Sequence, residues 1–451
     1  MRITFFGAAG RVTGSNYILE TGGKKIMIDC GLFQGNIDAE KKNHEPFAYN
    51  VPEVDAVIIT HSHIDHIGRV PKLIKEGFYG TIYSTGPTKE LSHIFLADEL
   101  KIMKSDLQAT GAPLLWEEEH LEKTISLWRT FEYHKPFAIG EAMVEFFDAG
   151  HILGSAIVRI TCEGKSIVFS GDLGNPPTPI VAATESPKIA DYIVTESTYG
   201  DRLHEKKADS KLMLERAIED TFTRKGVLLI PAFAMERTQE LLFEINELVE
   251  HNRIPHTSVF IDSPLAIKAT EIYKKYQAYF NQTTKDIISS GDDIFRFPRL
   301  TMSRTSEESK QILNVPTPKM VIAGSGMSTG GRILFHERNY LSDPSTIMLF
   351  VGYQVRGTLG RRIKDGEKEV RVLGEDVAIN AEIRAIEGYS AHGDQNQLFN
   401  WTASMCNTTH KPHKVFITHG EQIPAETLGK RFQEELGLTI EIPEEKDSFD
   451  L

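Results

Sequence analysis

Residues 54–68 read VDAVIITHSHIDHIG, and this stretch decides the fold. Ala56–Ile59 is an apolar, β-branched run of the kind buried on both faces of a sheet. It ends abruptly in His61, His63, Asp65 and His66. Alternate residues of an extended segment point the same way, so His61 and His63 are placed to grip one metal ion. A helix is expected from about Ile67, and the turn into it swings Asp65 and His66 towards a second ion. Imidazole and carboxylate are borderline-to-hard ligands that suit zinc. A His-rich polar loop is the bland alternative, but it does not account for residue type, spacing and strand-end position together.

Six more segments share this pattern of an apolar strand ending in a chemically competent residue. They are KIMIDCG with Asp29, EFFDAGHILGS with His151, SIVFSGDLG with Asp172, YIVTESTYG with Glu196, IRAIEGYSAHGD with His392 and KVFITHGE with His419. Strand ends gathered on one sheet edge are where sites are assembled, because strands fix the side chains and leave loops free. Asp172, with two oxygens, suits a bridge between two ions. Asp29 reads as a partner that fixes a ligand histidine's tautomer, or else as a turn residue before Gly31.

Around these segments the grammar is strand-rich to about residue 200, with strands expected at Arg2–Phe6, Lys25–Ile28, Val54–Thr60, Thr81–Ser84, Met143–Phe147, Ile157–Thr161, Ser166–Ser170 and Tyr192–Thr195. A helical insert covers about Thr88–Glu132, broken near Gly111–Pro113. Long amphipathic helices then alternate with short apolar strands, which argues for a parallel α/β sheet. The strand-rich grammar returns with Glu382–Ile386 and Lys414–Thr418, and the acidic tail PEEKDSFDL reads as frayed. The expected domains are 1–200, an insertion over 201–375, and 376–451 rejoining the first.

The chain has 451 residues with 50 basic and 63 acidic side chains, a net charge of −13. That excludes a basic protein that coats DNA and leaves phosphate binding to local patches or bound cations. No apolar run reaches membrane-span length, and the N-terminal apolar stretch is too short for a signal peptide. Cys30, Cys162 and Cys406 are far apart and odd in number, so neither a disulfide scaffold nor a CxxC site is expected, and a cytoplasmic setting is.

The HxHxDH run together with Asp29, His151 and Asp172 resembles the metallo-β-lactamase superfamily. Glu196 in ESTYG, His392 in GYSAHGD and His419 in THGE resemble the extra motifs of its β-CASP group of RNA-processing nucleases, such as the nuclease subunit of the cleavage and polyadenylation specificity factor. AGSGMSTGGR (323–332) and PAFAMERTQEL (231–241) resemble further patches of that group. The resemblance implies an α/β fold: an αββα sandwich interrupted by an inserted parallel-sheet β-CASP domain. It implies that His61, His63 and His151 hold one zinc and that Asp65, His66 and His419 hold the other. Asp172 then bridges the two, Asp29 supports the shell, and manganese also suits the donors. Histidine at 419, where DNA-directed members typically have valine, points to the RNA-directed branch. A homodimer is expected on the same ground.

The function so implied is hydrolysis of single-stranded RNA in a cleft between the domains, leaving 5′-phosphate and 3′-hydroxyl ends. Asp65, Asp172, Glu196 and His392 are the catalytic set, and a hydroxide activated by two metals is the nucleophile. His392, oriented and kept charged by Glu196, is the expected acid for the leaving oxygen. Ser325 and Arg332, in a Gly-rich turn before a helix, are candidate contacts for RNA phosphates. The competing readings are a small-molecule ester or thioester hydrolase on the same dinuclear site and a non-catalytic RNA-processing scaffold.

Overall fold

A computed structural model describes residues 1–35, 37–204, 207–386, 388–406 and 410–451. The chain divides into two compact units, Met1–Leu203 with Ala391–Leu451, and His204–Ser390.

The first unit is built on two seven-stranded sheets. One runs in the order Ser448–Asp450, Arg2–Gly7, Asn16–Thr21, Lys24–Ile28, Ala56–Ile58, Thr81–Ser84, Trp128–Thr130. The other runs Ile440–Glu441, Lys414–Ile417, Tyr192–Thr195, Lys165–Phe169, Ala156–Cys162, Ala142–Asp148, Phe137–Ile139. The two-residue period of a strand sorts its side chains into separate cores. Ile26, Ile28, Ala56 and Ile58 join Phe146, Val158, Phe169 and Phe416 between the sheets. Their alternates Met27 and Val57 face outwards, against Leu73, Leu96 and Trp116 of the helices beyond. On the far sheet, Val194 points inwards while Ile193 packs with Leu398 and Leu428 of Gln395–Ala403 and Gln422–Arg431. Each sheet is therefore buried on both faces, and the layers are αββα.

The helical insert is Gly86–Thr110 and Glu118–Ser126. The first helix ends at Gly111, whose φ of 77° supplies the left-handed cap. At the C-terminus the expectation of a frayed tail is corrected. Ser448–Asp450 pairs antiparallel with Arg2–Gly7 and closes that sheet edge. Phe449 packs on Phe5 and Phe416, with ring centroids 6.1 and 5.1 Å away. The Leu451 N–H donates to Met1 O at 2.9 Å.

The second unit carries a six-stranded, wholly parallel sheet in the order Leu300–Met302, Ser258–Asp262, Lys319–Ala323, Val227–Pro231, Ile347–Phe350, Glu382–Ala385. Val227 and Leu229 face a core with Ile333, Leu341 and Ile363. The placement of residues 376–390 differs from expectation. Glu382–Ala385 does not rejoin the first unit but forms the edge of this sheet, with Ile347 opposite Glu382. Its charges are matched locally: Arg384 pairs with Asp220, and Glu382 with Arg224. The chain returns to the first unit at Ala391.

Candidate metal centre

Six strand ends of the first unit deliver the polar residues to one edge of the sandwich. Ile28 is followed by Asp29, Ile58 leads to His61, Asp148 to His151, Phe169 to Asp172, Thr195 to Glu196, and Ile417 to His419. The turns are tight. A Cβ on Gly31 would stand 1.4 Å from Asp65 O, and one on Gly174 would stand 1.8 Å from Gly150 O. Asp29 and His419 are themselves held at φ of 57° and 48°. Left-handed backbone at a non-glycine residue costs about 1–3 kcal/mol, and it persists where the surroundings over-determine it.

The side chains converge in two histidine-rich groups, with a third made of Asp172, Glu196 and His392 beside them. His61, His63, His151 and Asp172 form one, and Asp65, His66 and His419 the other. In the first, His63 Nδ1 lies 3.0 Å from His61 Nε2 and 3.1 Å from His151 Nε2. Asp172 Oδ2 lies 3.3 Å from His61 Nε2 and 3.6 Å from His151 Nε2. In the second, His66 Nε2 and His419 Nε2 are 3.1 Å apart, with Asp65 Oδ2 3.3 Å from the latter. Asp172 turns its other oxygen to this group, with Oδ1 3.4 Å from His66 Nε2. One carboxylate thus offers one oxygen to each group.

Four of the five rings have their other nitrogen occupied. His66 Nδ1 meets Asp29 Oδ2 at 2.7 Å, and His151 Nδ1 meets the Ala391 carbonyl at 3.1 Å. His61 Nδ1 lies 3.1 Å from Thr60 Oγ1, and His419 Nδ1 lies 3.3 Å from Thr198 Oγ1. Such partners fix the tautomer and aim the opposite nitrogen inwards. Asp29 is in turn gripped by the Thr60 N–H at 2.8 Å and by the Thr60 hydroxyl.

Protonation follows burial and charge. Burial pushes His61 down to about 3 and His63 to about 4, and it drives His151 well below the usual imidazole range. These rings are neutral, the form that binds metal. Burial also opposes charge on His66 and His419, but Asp172 with Asp29 outweighs it at the first and Asp172 with Asp65 at the second, so both are raised. The field that holds protons there is the field that would attract cations.

The residues fit a pair of metal ions. With the outer nitrogens facing Thr60, Asp29, the Ala391 carbonyl and Thr198, the inner ring nitrogens lie 3.0–3.1 Å from one another, close enough to share an ion. Asp172 Oδ1 is buried and has no hydrogen-bond partner among the described residues. Both features are met by cations between the donors.

Beside the groups stands a further pair. His392 Nδ1 lies 3.2 Å from Glu196 Oε2 and 3.8 Å from Asp172 Oδ2. Glu196 is fully buried, and its Oε1 accepts the Leu173 N–H at 2.6 Å. The His392 segment is pinned by Gly393 N–H to Leu173 O at 2.8 Å. Burial acts against charge on His392, but Glu196, Asp172 and Asp65 prevail and raise it to about 9.

All nine metal-site and catalytic candidates from His61 to His419, and Asp29 with them, therefore meet in the first unit. Ser325 and Arg332 belong to the second. Arg332 is committed internally, donating to Asp262 Oδ1 at 2.7 Å and to the carbonyls of Ser303 and Arg304. His336 is buried and shares Asp262 with it. Thr60, Thr198 and the Ala391 carbonyl escaped the sequence reading. Thr60 alone carried a local signal, since it directly precedes His61.

A histidine- and aspartate-lined edge on an αββα sandwich defines a metallo-hydrolase class, and comparison with known proteins agrees. The metallo-beta-lactamase superfamily model matches residues 9–220, the Beta-Casp domain 238–363, and the Zn-dependent metallo-hydrolase RNA specificity domain 376–443. The chain is 38% identical over 430 residues to Ribonuclease TTHA0252 of Thermus thermophilus, covering 95% of each. It is 31% identical over 441 residues to Transcription termination factor FttA of Methanosarcina mazei, covering 94% of this chain and 67% of that one. A crystal structure of a protein of unknown function from Enterococcus faecalis V583 shares the fold, with a TM-score of 0.59 at 12% identity over 100% of this chain and 99% of that one. The chain belongs to the β-CASP group of the metallo-β-lactamase superfamily and is a metal-dependent hydrolase. No helix among the described residues is long and apolar enough to cross a membrane.

Proposed function

We propose that this chain is a zinc-dependent ribonuclease that hydrolyses phosphodiester bonds of single-stranded RNA, leaving 5′-phosphate and 3′-hydroxyl ends. His61, His63, His151 and Asp172 would hold one ion, and Asp65, His66, His419 and Asp172 the other. When bound, the pair would supply positive charge that lowers the pKa of a water towards about 7 and stabilises charge on the phosphoryl oxygens. The observation that carries the reading is the Glu196–His392 pair, set against the carboxylate that both groups share.

Glu196 orients the His392 ring and favours its charged form. With its proton held to about pH 9, His392 is a general acid placed to protonate the departing 3′-oxygen. Asp172 keeps the two groups in register through its two oxygens. RNA as the substrate is supported by the ribonuclease relative and by the match to the RNA specificity domain. The half-buried Ser325 is the better phosphate candidate in the second unit, since Arg332 is already paired. A cytoplasmic setting is supported by three free cysteines, and a homodimer by family resemblance alone.

The test is cleavage of 5′-labelled single-stranded RNA and matched DNA by zinc-loaded protein, chelator-stripped protein and His392→Ala. Metal-dependent cutting of RNA alone, lost by orders of magnitude in His392→Ala with zinc content unchanged, is expected. Loss of zinc in that variant would make His392 a ligand and overturn its role. No cutting by the loaded protein would move the reading to an ester or thioester hydrolase or a scaffold.

A further inference from the structure

Three consecutive residues, Ser15, Asn16 and Tyr17, bond to Asp65 or to the residues that hold the second group of donors, Asp29 and Thr418. The Ser15 N–H donates to Asp65 O at 2.9 Å, and its hydroxyl to Asp29 Oδ2 at 3.2 Å. Asn16 Nδ2 donates to Asp29 O at 2.9 Å. Tyr17 reaches from the N-terminal sheet across the sandwich, and its hydroxyl donates to Thr418 Oγ1 at 3.0 Å. Thr418 ends the strand Lys414–Ile417 of the other sheet and directly precedes His419. Its own hydroxyl passes the chain on to Thr195 O at 3.4 Å. Between these groups lies a pocket of about 10 Å³, with Ser15, Tyr17, Asp29, Asp172, Thr418 and His419 in its wall. That is room for roughly one water.

The geometry of the second group makes this bond consequential. Asp65 and His66 come from the N-terminal sheet and His419 from the opposite one. His66 Nε2 and His419 Nε2 must meet at 3.1 Å across the gap between sheets. His419 sits at φ 48°, so its backbone has to be held from outside. The Ala8 carbonyl holds its N–H at 2.7 Å, and Tyr17 holds the residue before it. The first group does not depend on this bond, since His61, His63 and His151 are anchored through Thr60 and Ala391.

We infer that Tyr17 is a positioning residue for the second metal site: its cross-sheet hydrogen bond sets where His419 stands against Asp65 and His66. The inference rests on the reading that the two donor groups hold metal. Tyr17→Phe removes one oxygen from a buried ring and leaves the packing, so it removes only the hydroxyl's bonds to Thr418 and Ser15, and Thr418→Val separates the first from the second.

The experiment is a zinc titration of the full chain against a competing chelator, with bound zinc counted by elemental analysis. Thermal unfolding of the metal-stripped protein is followed alongside. In Tyr17→Phe, one of the two zinc equivalents is expected to weaken roughly tenfold while the other keeps its affinity. Thr418→Val, which removes the acceptor, is expected to do the same, and the double variant to weaken it no further. Wild-type affinity at both equivalents in Tyr17→Phe, with or without a lower unfolding temperature, would overturn the inference and reduce the bond to a structural one. Equal weakening of both equivalents would overturn the assignment to one site. Failure of the unsubstituted protein to bind zinc would defeat the metal reading itself, and this inference with it.

Discussion

Replacing Asp29 by asparagine should strip one metal position and spare the other. Asp29 Oδ2 accepts from His66 Nδ1 at 2.7 Å, while Oδ1 accepts the Thr60 N–H at 2.8 Å. Asparagine keeps the size and the Thr60 contact but puts an NH2 group where Oδ2 stood. An NH2 group facing Nδ1 favours the tautomer with its proton on Nε2, the nitrogen aimed at His419 and Asp172. That tautomer does not ligate. The bond lost is charge-assisted and buried, worth about 1.5–3 kcal/mol. Expressed in binding, this is roughly a 10–100-fold loss of metal affinity, the range found when such a partner of a ligand histidine is removed. The loss should fall on the position held by Asp65, His66 and His419. The position of His61, His63 and His151 should be weakened much less, because their tautomers are set elsewhere. Chelator competition with zinc, resolved into two equivalents, measures both. Two equivalents bound with unchanged affinity would refute the argument that Asp29 acts through the His66 tautomer.

Other consequences follow from charge and packing. Glu196→Gln removes the first-named support for charge on His392, so the basic limb of kcat/KM for RNA, set near 9, should move to lower pH by about one unit or more; an unmoved limb would exclude His392 as the acid it reports. Glu337 is fully buried and accepts the Ser328 hydroxyl, its Oε2 has no partner among the described residues, and burial pushes it up to about 7. Its folded-state pKa lies above the unfolded value of 4.5, so the stability it lends is complete below pH 4.5 and is lost as pH rises through 7. Glu337→Gln cannot ionise and should therefore stabilise the second unit at pH 8, by at most about 3 kcal/mol, with no gain at pH 4.5; equal effects at both pH values in denaturant unfolding would contradict this. Phe449→Ala should cost about 2 kcal/mol, roughly half the penalty for a fully buried ring, read as a lower unfolding midpoint; an unchanged midpoint would mean that the tail strand is not held by its packing on Phe5 and Phe416.

The residues of the site were legible in the sequence for a local reason. Except for His392, which follows Glu382–Ala385 of the second unit, each stands just after an apolar strand of the first unit, and strand, turn and polar residue are neighbours in the chain. His61, His63 and His66 lie within six positions, so their convergence needs little more than the two-residue period and the turn after it. Pairings between distant segments carried no such mark. Glu382–Ala385 is recognisable as a strand, but nothing in four residues says which sheet it joins. Its place beside Ile347–Phe350 is decided by a partner 35 residues away. The tail reads as acidic and frayed, because its value lies in Phe449 and Leu451 meeting the first strand of the chain. Arg332 reads as a free guanidinium until Asp262, 70 positions earlier, is found against it.

The same division explains why the supports of the site are harder to read than its ligands. A ligand must be one of a few residue types at a strand end. What aims it can be any donor or acceptor the fold brings near: a hydroxyl at Thr60, a main-chain carbonyl at Ala391, a phenol at Tyr17 bonded to a threonine 401 positions away. These partners share no residue type, so no spacing predicts them. They are also where the two sheets are tied together, and the second group draws its donors from both. The first group spans the sheets as well, since His151 and Asp172 follow strands of the far sheet, but its rings are aimed through Thr60 and the Ala391 carbonyl, whereas the second is aimed through Asp29 and the Tyr17–Thr418 bond. Substitutions such as Asp29→Asn and Tyr17→Phe, which leave every ligand in place, separate the two positions for that reason.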